Sequence, residues 1–208
     1  MKKMNLLIAG LSLCLCFSAQ SQISGGAQLS YFNFLGYTSS PGFGIKGFYE
    51  QSDKIMAYGA VNFYPGGKME GTSSVQSKDG FGLKEIDATS KFKIFNIQVG
   101  ARYYFVGGTE ETFGVYGGAA ASFIGATAKT EYEQHGDDAF VEREDEKEFI
   151  SGFGLSAHLG AEYNIGFGSV FFDASVGLPA NQANGEAVSV SFGAFAQIDA
   201  GIRIPLNF

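Results

Sequence analysis

The chain has 208 residues with 14 basic and 21 acidic side chains, a net charge of −7, and so lacks the basic surface needed to neutralise nucleic-acid phosphates. Hydrophobic residues make up 45% of it, with 21 Phe, 10 Tyr and 30 Gly, but no run of 18 apolar residues encodes a transmembrane helix. Both cysteines, Cys14 and Cys16, fall in the leader segment, which excludes a small domain stapled by disulfides.

At the N-terminus, Lys2 and Lys3 precede a twelve-residue apolar core from Leu6 to Phe17, and Ala19 and Ser21 supply small residues at a signal peptidase spacing. Twelve apolar residues are too few to span a bilayer as a helix, which takes about 20. Leu13 and Leu15 stand where a lipid-modified cysteine needs a small neighbour. The expected organisation is a signal peptide over 1–21 and a single domain over 22–208, the latter with 12 basic against 21 acidic residues, a net charge of −9.

Beyond the leader the chain alternates apolar with small or polar residues. A helix turning about 100° per residue would scatter that pattern, whereas a strand places it on one face. Eight strands are predicted, over 27–35, 43–50, 55–63, 92–105, 113–125, 151–165, 170–178 and 188–208. In the fourth, Phe95, Ile97, Val99, Ala101, Tyr103 and Phe105 face one way, and Asn96, Gln98, Gly100, Arg102 and Tyr104 the other. The fifth has Gly and Ala on both faces and defines its parity poorly. In the last, all eleven even positions from Val188 to Phe208 are apolar.

The connections over 51–54, 106–112 and 166–168 have turn chemistry, while those over 66–91 and 128–149 exceed 20 residues. With strands running up and down, the short turns share one end and both long loops the other, as in bacterial outer-membrane barrels. The expected fold is all-β: an eight-stranded antiparallel up-and-down transmembrane β-barrel.

The polar strand positions are mostly Gly, Ser, Asn and Gln, with few charges: Lys46, Glu50, Lys93, Arg102, Glu162, Asp173, Asp199 and Arg203. Such residues suit the narrow interior of an eight-stranded barrel. Lys46, Glu50, Arg102, Glu162, Asp173, Asp199 and Arg203 are therefore expected to form a lumen charge network, with Arg102–Glu162 and Arg203–Asp173 as pairs. Phe48, Tyr104, Phe171 and Phe195 are expected to plug the bore beside them. On the other face, Phe43, Tyr49, Phe63, Tyr103, Phe105, Tyr163 and Phe208 fit interfacial girdles.

The terminal strand, apolar at Ala200, Ile202, Ile204 and Leu206 and ending on Phe208, resembles the signal read by the outer-membrane barrel assembly machinery. With the leader, the eight strands and the unequal loops, the chain is similar to the small outer membrane β-barrel (porin-like) domain proteins of the Bacteroidota type. That resemblance implies a bacterial outer-membrane location, with outer-membrane lipids and the assembly machinery as partners.

Enzyme chemistry is weakly signalled. His158 shares a face with Ser156 and Glu162, but those lie about 7 and 13 Å away along the strand, beyond hydrogen-bond reach. GVYGGAAA lacks the Lys of a phosphate-binding loop. The acidic stretch around Asp137, Asp138, Glu142 and Glu144 has no ordered metal-loop spacing. The expectation is a non-enzymatic protein with no cofactor and no metal, whose barrel anchors two long loops as a surface for an unknown extracellular ligand. The alternative is a narrow porin-like pore for small solutes.

Overall fold

The computed structural model describes residues 22–34, 38–132, 139–141, 144–182 and 193–206. The leader over 1–21, Val188, Val190, Phe192 and Phe208 lie outside them. The described chain forms eight strands: β1 (Ile23–Phe34), β2 (Thr38–Ser52), β3 (Ile55–Gln76), β4 (Leu83–Val106), β5 (Phe113–Tyr132), β6 (Glu146–Asn164), β7 (Ser169–Gln182) and β8 (Phe195–Leu206). Each pairs antiparallel with its neighbour in sequence, and β1 pairs with β8 from Ile23↔Leu206 to Phe34↔Phe195, closing the barrel. Closure leaves no free sheet edge in the ring.

Three turns, between β2 and β3, β4 and β5, and β6 and β7, gather at one end. Gly107 (φ 65°) and Gly166 (φ 96°) take left-handed backbone conformations there, and at Gly107 a side chain would also run into the carbonyl of Phe113.

At the other end the strands outrun the sequence expectation. The stretch 66–91, expected as a loop, is a paired ribbon from Gly67↔Phe92 to Gln76↔Leu83, entered through a bulge between Tyr64 and Gly67. The loop expected over 128–149 is likewise shortened, because β5 continues to Tyr132 and Thr130 pairs with Glu146 at the start of β6. Both ribbons carry few apolar side chains, Val75 and Ile86 being the buried ones of the first, so they show little apolar parity to read, yet backbone pairing needs none. The connection expected over 36–42 shrinks too, since β2 starts at Thr38 opposite Phe34. Among the described residues β8 begins at Phe195, where its pairing with both β1 and β7 ends, and Gly193 and Ala194 lie outside a strand; the part of the expected strand over 188–192 lies outside the described residues.

Parity sorts the two faces as the alternation requires. Leu29, Phe43, Ile45, Val99, Leu155, Leu159, Val176 and Ile198 are exposed on the outside, while Gln28, Lys46, Asn62, Gln98, Ser122 and Gln197 are buried inside. Along β4 the outward apolar row runs from Phe105 to Phe95, ten residue steps. At about 3.3 Å per step and a tilt of about 40°, that is about 25 Å along the barrel axis, the height of an apolar band in transmembrane barrels. Phe43, Phe63, Tyr103, Phe105 and Tyr163 are exposed near its margins.

Candidate functional site

The described inward side chains lie in layers along the bore. β8 supplies one inward side chain to each, from Arg203 nearest the turns through Asp199 and Gln197 to Phe195. Nearest the turns, the Arg203 guanidinium pairs with both Glu50 and Glu162 and donates to the Thr109 carbonyl at 3.0 Å. Tyr104 donates to the second oxygen of Glu162 at 3.1 Å.

Asp173 centres the next layer. Its Oδ2 accepts from Arg102 Nη2 at 2.6 Å and Lys46 Nζ at 2.9 Å, and its Oδ1 accepts from the Tyr116 hydroxyl at 2.6 Å. Arg102 is 1% exposed and so has almost no water to solvate its charge. Its guanidinium lies 4.3 Å from the Tyr116 ring centroid and 5.0 Å from that of Phe48, so aromatic faces supplement the carboxylate. Lys46 sits 4.8 Å over Tyr58 and 3.8 Å from Asp199. Asp199 in turn accepts from Ser30 and from Gln197 Nε2, whose Oε1 receives Asn96 at 3.0 Å and Gln98 at 3.1 Å.

All seven charges expected in the lumen are buried there, but their pairing differs in part. Arg203 does not meet Asp173: on the β7–β8 ladder it lies opposite Ser169, four residues from the level of Asp173, and so takes Glu50 and Glu162 across the bore. Arg102 does pair with Glu162, through Nη1 at 3.9 Å, but its nearer partner is Asp173, at 2.6 Å from Nη2. Lys93 is not a lumen residue at all; it is exposed on the outward face of β4, two residues from Phe95.

Phe48, Tyr104, Phe171 and Phe195 are buried inside the bore, joined by aromatics that the sequence reading did not single out. Tyr58 and Tyr116 pack with Phe48, Met56, Tyr104 and Phe171 around the Asp173 layer, and Phe32, Phe34, Tyr64, Ile94 and Phe195 cluster on the long-strand side. The available signal was parity: Phe32 and Phe34 share their face with Gln28 and Ser30, Tyr58 with Asn62, and Tyr116 with Ser122.

His158 belongs to the same interior. Its ring lies edge-on to Tyr58 at 5.5 Å, with Nδ1 3.4 Å from the Tyr58 hydroxyl. Neither Ser156 nor Glu162 hydrogen-bonds to it among the described residues, so nucleophile, base and orienter are not assembled. No metal-binding cluster of three or more His, Cys, Asp or Glu occurs among the described residues.

Outside the ring, the lengthened strands form two arms. The β3–β4 arm is braced against residues 139–141 by a Ser77↔Phe140 bridge, with Lys78 N to Ala139 O at 2.9 Å and Val141 N to Gln76 O at 3.0 Å. Near its tip Phe81 is 97% exposed and Leu83 is 77% exposed, so neither serves the arm's own packing. At the base, Glu131 accepts from Lys91 at 2.7 Å and Lys129 at 3.0 Å, which hold its carboxyl below the usual carboxylate range.

No family model and no curated protein matches this chain. Solved structures do. A major outer membrane protein from Thermus thermophilus superposes with a TM-score of 0.60 at 10% identity, over 90% of this chain and 100% of that one. Neisserial surface protein A gives 0.53 at 16% identity, over 89% and 97%. At these identities the likeness is one of fold: an antiparallel barrel of the kind found in small outer-membrane proteins.

Proposed function

We propose that the protein is a non-enzymatic integral protein of the bacterial outer membrane, of the small porin-like kind, whose barrel anchors an external binding or adhesion surface. The observation that carries this reading is the outward apolar band, about 25 Å high, on a ring whose backbone is paired all the way round. A bilayer core supplies no hydrogen-bond partners, so only a closed sheet is stable in it. Water would instead have to solvate exposed Leu29, Ile45, Val99, Leu155 and Leu159 around the barrel. In this reading the 1–21 leader exports the chain, and the terminal strand through Phe208 engages the assembly machinery.

The binding surface is the pair of arms, with Phe81 and Leu83 as apolar contacts. The bore is closed: paired charges and stacked aromatics occupy its layers, as the small interior of eight strands requires. The test is a shortened arm. Lys68 and Lys91 are directly opposed, so removing 69–90 and joining them by a tight turn leaves the ring intact. Cells displaying the shortened protein are expected to lose adhesion to the surfaces the full-length protein binds, while its folded form keeps its anomalous gel mobility. Undiminished adhesion would overturn the assignment to this arm.

A further inference from the structure

We propose that a row of outward lysines at the long-strand margin of the apolar band is a docking surface for phosphate-bearing lipid headgroups. The proposal rests on the membrane reading above. Register places Lys68 opposite Lys91, Lys91 opposite Lys129, and Lys129 opposite Lys147, so four consecutive strands present lysine in one cross-strand row, which slants with the strand tilt. All four are exposed, and they share the outward face with Phe95 and Phe149. Lys93, also exposed, lies between this row and Phe95.

Like charges directly opposed on a sheet repel one another. Three strand spacings of about 4.8 Å make the row about 14 Å wide, so the lysines stay close enough to share an anion. Their protein partners lie on the side away from the band: Glu70 meets Lys68 at 2.5 Å, Glu131 meets Lys91 and Lys129, and Asp145 meets Lys129 at 3.1 Å. Lys93 and Lys147 have no ion pair among the described residues. The order along the strands is therefore apolar, then basic, then acidic.

The band-side lysines, Lys93 and Lys147, reach the headgroup level, while Lys91, four residues beyond Phe95, stands about 10 Å past the band. Lys147 is two residues beyond Phe149, and Lys93 two beyond Phe95. Two residues of tilted strand rise about 5 Å, within a headgroup layer of about 5 to 7 Å on each side of the bilayer. A recess of about 390 Å³ opens on the row between Lys68, Asp87, Thr89, Lys91 and Glu131, large enough to admit a phosphate. The net charge of −7 makes this concentration of lysines stand out: five of the chain's 14 basic residues lie in this patch. An anion held here is therefore one fixed at the membrane surface, because the lysines on the band side face lipid rather than open water.

The test uses the protein folded into phosphatidylcholine vesicles doped with bisphosphorylated lipid A or with its dephosphorylated counterpart of the same acyl chains. The lipid that stays with the protein through mild detergent extraction is quantified. The wild type is expected to retain the phosphorylated lipid selectively. Substituting Lys68→Gln, Lys91→Gln, Lys93→Gln, Lys129→Gln and Lys147→Gln together is expected to lower that retention at least about fivefold, the effect of a single lysine near an anionic surface. Substituting Glu70→Gln, Glu131→Gln and Asp145→Asn together is expected to raise it. Equal retention of both lipids, no change in either variant, or full displacement by millimolar inorganic phosphate would overturn the headgroup assignment. Should the lysine variant not fold, the acid variant decides, and absence of a gain refutes the proposal. Failure of the wild type to insert would instead remove the membrane reading itself, an outcome visible before any lipid is measured.

Discussion

Replacing Asp173 by Asn removes the charge on which the central layer of the bore converges while preserving its shape. Two cations lose their nearest counter-charge: Arg102 at 2.6 Å and Lys46 at 2.9 Å. Breaking a buried ion pair from one side costs about 3 to 5 kcal/mol, because the remaining charge is left uncompensated. Here some compensation remains, since Glu162 stays 3.9 Å from Arg102, Asp199 stays 3.8 Å from Lys46, and Arg102 keeps the Tyr116 ring at 4.3 Å. The lower end of the range is therefore expected, a loss of about 3 kcal/mol. Urea unfolding of the barrel in phospholipid vesicles, followed by circular dichroism, measures it. Arg102→Met removes one of the stranded cations, so the double variant should be less destabilised than the sum of the singles by about 1.5 kcal/mol, within the range for residues in contact. A loss below about 1 kcal/mol for Asp173→Asn, or strict additivity, would refute the argument that this carboxylate holds the layer together.

Ile198→Arg, on the outward face of β8, is expected to destabilise the vesicle-folded barrel by about 2 to 4 kcal/mol if it meets the bilayer midplane; a negligible change would reverse the face assignment. At Gly160 an added Cβ would lie 2.5 and 2.6 Å from ring carbons of Tyr116 and would also crowd Asp173, so Gly160→Ala should cost about 1 to 3 kcal/mol. Gly47, where an added Cβ meets nothing within 4 Å, provides the control, and its Ala variant should unfold at no lower urea concentration than wild type. In planar-bilayer recording the purified protein should show no stable nanosiemens-scale openings; their appearance would replace the closed bore with the pore.

Much of this architecture was legible in the residues because a strand's side-chain period is two and the two faces of this barrel differ in polarity. Val99 and Gln98, or Ile198 and Gln197, announce their sides by chemistry alone, and the turns at 51–54, 106–112 and 166–168 announce theirs by Gly and Asp. The membership of the lumen network followed from that same parity. Its pairing followed only in part, with Arg102–Glu162 formed and Arg203–Asp173 not. Which carboxylate Arg203 reaches depends on the stagger of β7 against β8 and on the approach of strands across the bore, and no local pattern encodes either.

The arms were illegible for a different reason. In KMEGTSSVQ and LKEIDATSK both faces are largely polar and only Val75 and Ile86 are buried apolar side chains, so alternation leaves little trace, although the backbone ladder between them is continuous. The lysine row lies at the limit of what sequence can disclose: Lys68, Lys91, Lys129 and Lys147 are scattered over 80 residues of chain, and only the register of three successive ladders brings them into one row. Parity is a property of each strand alone and is written in its sequence. Register is a relation between strands, fixed by closure of the whole ring, and so the tertiary structure alone decided it.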